Sequence, residues 1–138
     1  MKSSYCIALF LLLIASSCKI NQKANGLKEG RWVLRDTING DVFKYIEKYK
    51  KGDEIGTWKT FKNKQKYIVE KYKNATCHIT YFGTNKKIII KGQTQFEITN
   101  KQMHWYYFGD WLFYDENGKL VKIKKYELGE LKSEIEIP

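Results

Sequence analysis

Apolar and polar residues alternate along most of this chain with the two-residue period of a β-strand. Glu134-Ile135-Glu136-Ile137 alternates strictly. Phe43, Tyr45 and Tyr49 fall on one side of a run whose other side carries Val42, Lys44, Ile46 and Lys48. Lys87–Ile90, Gln95–Thr99 and His104–Phe108 are rich in β-branched and aromatic residues, which suit a pleated, half-buried surface. No segment sustains apolar spacing at i, i+3, i+4, i+7, and the one proline is the last residue, Pro138. The pattern predicts an all-β domain over 27–138 built of consecutive antiparallel β-hairpins.

Turn signals separate these runs. Asn39-Gly40 and Asn117-Gly118 suit two-residue type I′ turns, in which both central residues need positive φ. Lys51-Gly52, Phe82-Gly83 and Leu128-Gly129 are further turn candidates.

A repeat overlies the alternation. Gly30-Arg-Trp32, Gly56-Thr-Trp58 and Gly109-Asp-Trp111 share the pattern Gly-x-Trp. The second interval between tryptophans is about twice the first, which predicts one degenerate unit near residues 82–108. Around the anchors the pattern lengthens. Tyr49-x-x-Gly52-x-x-x-Gly56-x-Trp58 ends in the aromatic Phe61, and Gly109-x-Trp111-x-x-Tyr114 runs on to Gly118 and then Tyr126-x-x-Gly129. This unit resembles the MORN repeat in the bacterial variant typical of the YwqK-type family, over residues 27–73 and 105–135; residues 74–104 fit poorly. The resemblance implies a curved ribbon of hairpins, with Trp32, Trp58 and Trp111 as core anchors packed on the next hairpin. Family members are often labelled antitoxins, so an antitoxin or immunity-type protein neutralising a toxin is the alternative function it implies. An export signal is compatible with that role only outside the cytoplasm.

The first twenty residues break the strand pattern. Lys2 is followed by ten residues, Cys6–Ala15, without a charge or strong polar group, then Ser16, Ser17 and Cys18. A positive start, a short apolar core and small residues before a cleavage point define a secretory signal, expected to be helical. The core is too short for a comfortable transmembrane helix of ~20 residues. Ala15-Ser-Ser-Cys18 resembles the bacterial lipobox, with Ala15 where Leu or Val is more usual. That resemblance implies a diacylglyceryl group on the Cys18 thiol and cleavage before it. Residues 1–17 are then a lipoprotein signal peptide, 18–26 a lipidated tether and 27–138 the repeat domain. Lys19 in place of an acidic residue implies the periplasmic face of an outer membrane.

Charge narrows the partners. The chain has 25 Lys and Arg, one of them Lys2, against 15 Asp and Glu, all beyond residue 18, so the mature part carries a net +9. This favours a protein partner or an anionic envelope surface. Lysines spread along nearly every segment, with no nucleic-acid motif, exclude a nucleic-acid partner.

Candidate chemistry is sparse, and no enzyme, metal or cofactor is expected. His78 and His104 are far apart, and Cys77 and His78 point to opposite faces of a strand. Asp53-Glu54 and Asp115-Glu116 adjoin turn glycines, where carboxylates are solvated. With Cys6 in the leader and Cys18 lipidated, Cys77 has no disulfide partner and reads as a small buried hydrophobe.

Overall fold

The computed structural model describes residues 19–99 and 102–138, so the leader and Cys18 lie outside the described residues. The chain forms eleven strands: β1 (Gln22–Ala24), β2 (Leu27–Ile38), β3 (Asp41–Lys50), β4 (Asp53–Glu54), β5 (Gly56–Lys62), β6 (Gln65–Lys73), β7 (Thr76–Phe82), β8 (Ile88–Thr99), β9 (Gln102–Tyr114), β10 (Leu120–Glu127) and β11 (Glu130–Glu136). They make one antiparallel sheet in chain order, with the short β4 pairing only the end of β3. The all-β expectation of consecutive hairpins therefore holds, and no helix occurs among the described residues.

The turns explain the topology. Asn39-Gly40, Lys51-Gly52 and Leu128-Gly129 have positive φ at both residues, as type I′ turns require. Asn25-Gly26 and Asn63-Lys64 do the same. Two expected turns differ. At Asn117-Gly118 only the glycine is left-handed, and the N–H of Gly118 donates to the Asp115 carbonyl while that of Asp115 donates to the Lys119 carbonyl. This is a type I turn closed by a left-handed residue, and the Asp115 carboxylate fixes it by accepting from the N–H groups of Asn117 and Lys119. The turn predicted at Phe82-Gly83 has the same pattern one step later, with Lys86 in the left-handed position.

Part of the stretch expected as a tether, 18–26, is strand. Gln22–Ala24 pair with β2, and the Asn25-Gly26 turn closes that hairpin. Asn21 ends the pairing: its side chain donates to the Val33 carbonyl (3.1 Å) and accepts from the Val33 N–H (2.7 Å). One carboxamide thus stands in for a neighbouring peptide group on an open sheet edge. Further along β2 the Asp36 carboxylate accepts from the Thr37 N–H. Such capping blunts an edge that would otherwise recruit foreign strands.

At Gly56 and Gly109 the Gly-x-Trp motif marks a bulge in the pairing with the preceding strand rather than a turn. Gly30, Gly56 and Gly109 have φ of 69°, 66° and 64°. Ile46 pairs with Lys59 and Tyr49 with Glu54, so two residues of β3 face four around Gly56. Lys91 pairs with Leu112 and Gln93 with Phe108, so one residue of β8 faces three around Gly109. Each bulge absorbs two extra residues and tips the tryptophan onto the preceding strand. The Trp58 indole N–H donates to the Lys48 carbonyl (3.0 Å) and that of Trp111 to the Gln93 carbonyl (3.1 Å). At Trp32 the preceding strand has already left the register at Asn21. Among the described residues the Trp32 indole nitrogen is the one buried side-chain polar atom without a partner.

Each of these glycines also faces a tyrosine on the following strand: Gly30 faces Tyr49, Gly56 faces Tyr72 and Gly109 faces Tyr126. Each tyrosine ring packs on its own unit's tryptophan at 6.2, 4.7 and 6.2 Å. Such pairs contribute ~0.5–1.5 kcal/mol each beyond their area. The register puts the degenerate copy earlier than the expected 82–108. In the row Trp58–Glu70–Ile79–Gly92, Ile79 of β7 stands where an anchor belongs, and β6 pairs β7 without a bulge.

A single layer must bury its own core. Cys77 (1% exposed), Trp111 and Ile79 form the centre, with Ile68, Tyr72, Tyr81 and Ile90 packed around it.

Candidate functional site

Directly paired residues share a face of the sheet, so the register sorts every charge. One face carries the aromatic rows and nearly all the ion pairs. Trp32, Tyr49, Trp58, Tyr72, Trp105 and Phe96 follow one another there at centroid distances of 4.7 to 6.2 Å. Lys28 bonds the Tyr49 hydroxyl (2.9 Å), lies 3.7 Å from Glu47 and sits over the rings of Trp32 and Tyr49. Lys62 pairs with Asp41, and Lys122 and Lys124 pair with Glu134.

Burial shapes the titration of this face. Desolvation, reinforced by nearby Glu47, raises the Glu54 and Glu70 carboxyls above the ordinary carboxylate value, although Glu70 accepts a bond from the Tyr72 hydroxyl (3.1 Å). Burial also pushes the Cys77 thiol up to about 12, so it is protonated and inert at neutral pH. A raised carboxyl binds its proton more tightly folded than unfolded. Its contribution to stability is therefore complete at low pH and is lost as pH rises from the ordinary value through the raised one. Glu70→Gln keeps the acceptor oxygen and removes the charge. The variant is expected to melt above the native protein at pH 7, with the gap closing towards pH 4. An equal gap at both pH values in thermal melts would show that Glu70 carries no buried charge.

The opposite face is cationic. Its rows read Arg31–Lys48, Arg35–Lys44–Phe61–Lys66, Thr57–Lys71–His78–Gln93–Phe108 and Val33–Ile46–Lys59–Val69–Thr80–Lys91–Leu112–Ile123. No residue in these rows is acidic. Among the described residues none of these arginines and lysines is ion-paired. All but the half-buried Lys44 are exposed. Eight cations thus share one side in rows free of carboxylates, with Glu97 and Asp110 elsewhere on that side, a segregation that composition alone does not reveal.

Within this face the Gly109 bulge leaves a depression of about 480 Å³, open to solvent, lined by His78, Lys91, Gln93, Asp110, Leu112 and Lys125. A side chain at Gly92 would overlap the Trp111 indole, which crosses beneath it, and the Gln93 amide lies over Gly109. The floor is the backbone of Gly92 together with the Gln93 amide over Gly109.

The predicted anchors divide between the faces. Trp32, Trp58 and Trp111 share the aromatic face. Tyr114 lies on the cationic face with the Lys91 ammonium 5.8 Å from its ring centroid, and Gly118 sits in the turn beyond it. Tyr72 completes the second unit but escapes the sequence pattern, because Ala75 stands where the motif has glycine. Cys77 and His78 point to opposite faces, and Asp115 is held in its turn rather than paired with Asp53-Glu54. Among the described residues no group of three or more His, Cys, Asp or Glu could hold a metal ion. No family model, no curated protein and no solved structure matches this chain.

Proposed function

We propose that this chain is an exported lipoprotein, anchored through Cys18 to the periplasmic face of an outer membrane, whose repeat sheet is a non-catalytic binding module for an anionic envelope surface. One observation carries the reading: eight cations without an ion pair line four rows of one face, while nearly all the paired ones stand on the other. A field of one sign draws in polyanions and loses strength with added salt. The recurring Gly-x-Trp bulge, with its tyrosine on the next strand, supports a MORN-like repeat architecture. Such an array suits recognition, since its conspicuous aromatics are used in packing.

The test is co-sedimentation of residues 19–138, the described sheet without its acyl anchor, with phosphatidylglycerol vesicles and with neutral vesicles. Capture by the anionic vesicles should fall steeply between 50 and 500 mM salt, probe conditions set by a screening length that shrinks from ~10 Å at 0.1 M to ~3 Å at 1 M. Binding that is insensitive to salt and lipid charge overturns the reading.

A further inference from the structure

The depression over the Gly109 bulge differs chemically from the rest of the cationic face. Lys91 and Lys125 stand on its rim; neither makes an ion pair among the described residues, and Asp110 lies directly opposite Lys125 in the register of β9 and β10. Asp110 of β9 and the Gln93 amide of β8 also line it, with Leu112 as an apolar patch. Asp110 is the informative group. A site for bare phosphate gains nothing from a carboxylate in its wall, because like charges repel. A carboxylate and an amide together with two ammonium groups match a ligand that presents hydroxyl donors beside an anionic group.

From this constellation we propose that the depression is a discrete site for a phosphorylated sugar. The phosphate sits against Lys91, with Lys125 held beside Asp110, the hydroxyls donate to Asp110 and the Gln93 amide oxygen, and the ring's C–H face lies on Leu112. This inference rests on the cationic face being a binding surface and names the chemistry that one part of it selects. Free sugar phosphates and phosphorylated glycolipid head groups share that chemistry.

Calorimetric titration of the mature lipoprotein in micelles with glucose 1-phosphate, glucose and inorganic phosphate tests it. Glucose 1-phosphate should bind at least about tenfold tighter than either fragment. Asp110→Ala separates recognition from charge: attraction alone makes this variant bind every anion more tightly. The proposal requires weaker glucose 1-phosphate binding, by about tenfold, together with unchanged or tighter phosphate binding. Lys91→Gln should weaken both. Lys44→Gln, on the same face but outside the depression, should weaken phosphatidylglycerol binding and leave glucose 1-phosphate within about twofold. Competition of glucose 1-phosphate by lipid A vesicles identifies a glycolipid source, and its absence a soluble one; either supports the site. Tighter glucose 1-phosphate binding by Asp110→Ala, or phosphate binding as tight as the sugar phosphate, overturns the discrete site while leaving the cationic surface standing. Failure of phosphatidylglycerol, lipid A and glucose 1-phosphate alike overturns both.

Discussion

Trp111→Ala is expected to lower stability by about 3–5 kcal/mol, the usual cost of emptying a buried aromatic site. That corresponds to a Tm roughly 10–20 °C lower for a domain of this size. The ring is 4% exposed and packs against Tyr107 (4.4 Å) and Tyr126 (6.2 Å). Its indole N–H satisfies the Gln93 carbonyl, and its face covers Gly92. A one-layer sheet has no second layer that can relax into the space. Phenylalanine variants separate ring from hydrogen bond. Trp111→Phe loses a made bond, worth ~0.5–1.5 kcal/mol. Trp32→Phe relieves a buried donor that has no described partner, which offsets the smaller ring. Trp32→Phe should therefore cost less than Trp111→Phe in thermal or denaturant melts. A Trp111→Ala protein melting within a few degrees of the native one removes the bulge anchor from the account of stability.

The second large effect concerns binding. Replacing Lys48, Lys59 and Lys71 together by glutamine should weaken capture by anionic vesicles roughly 150-fold, at ~1 kcal/mol for each basic residue near such a surface. All three are exposed and none is ion-paired among the described residues, so the fold should be unaffected. Removing Lys122, Lys124 and Lys132 instead changes net charge equally but takes cations already matched by Glu134 and Glu130. The two triple variants therefore distinguish a surface from a mere excess of charge. Equal losses in the vesicle assay would mean that net charge alone governs attraction.

Most of the fold was legible because β structure advertises itself locally. Alternation placed Phe43, Tyr45 and Tyr49 opposite Lys44 and Lys48, and asparagine–glycine pairs marked hairpins whose φ values only those residues adopt with ease. What escaped depended on register or on less favourable residues in familiar roles. The Asn63-Lys64 turn carries two left-handed residues without a glycine. Gln22–Ala24 are polar and exposed, so nothing but their pairing marks them as a strand. Ile79 replaces an aromatic anchor, which misled the spacing argument by shifting the silent unit towards the N-terminus. The candidate site was the least visible part. A lysine's face can be read from its own strand, but the rows formed by eight strands emerge only once each pairing is known.

The early start of the sheet limits reach. With an acyl chain on Cys18, only Lys19–Asn21 separate the anchor from β1, about 14 Å of backbone at full stretch. If Cys18 carries the proposed lipid, so short a leash would hold the first hairpin against the head-group layer and deliver Arg31 and Arg35 of β2 to it, while the strands that follow in line would stand progressively farther from the bilayer.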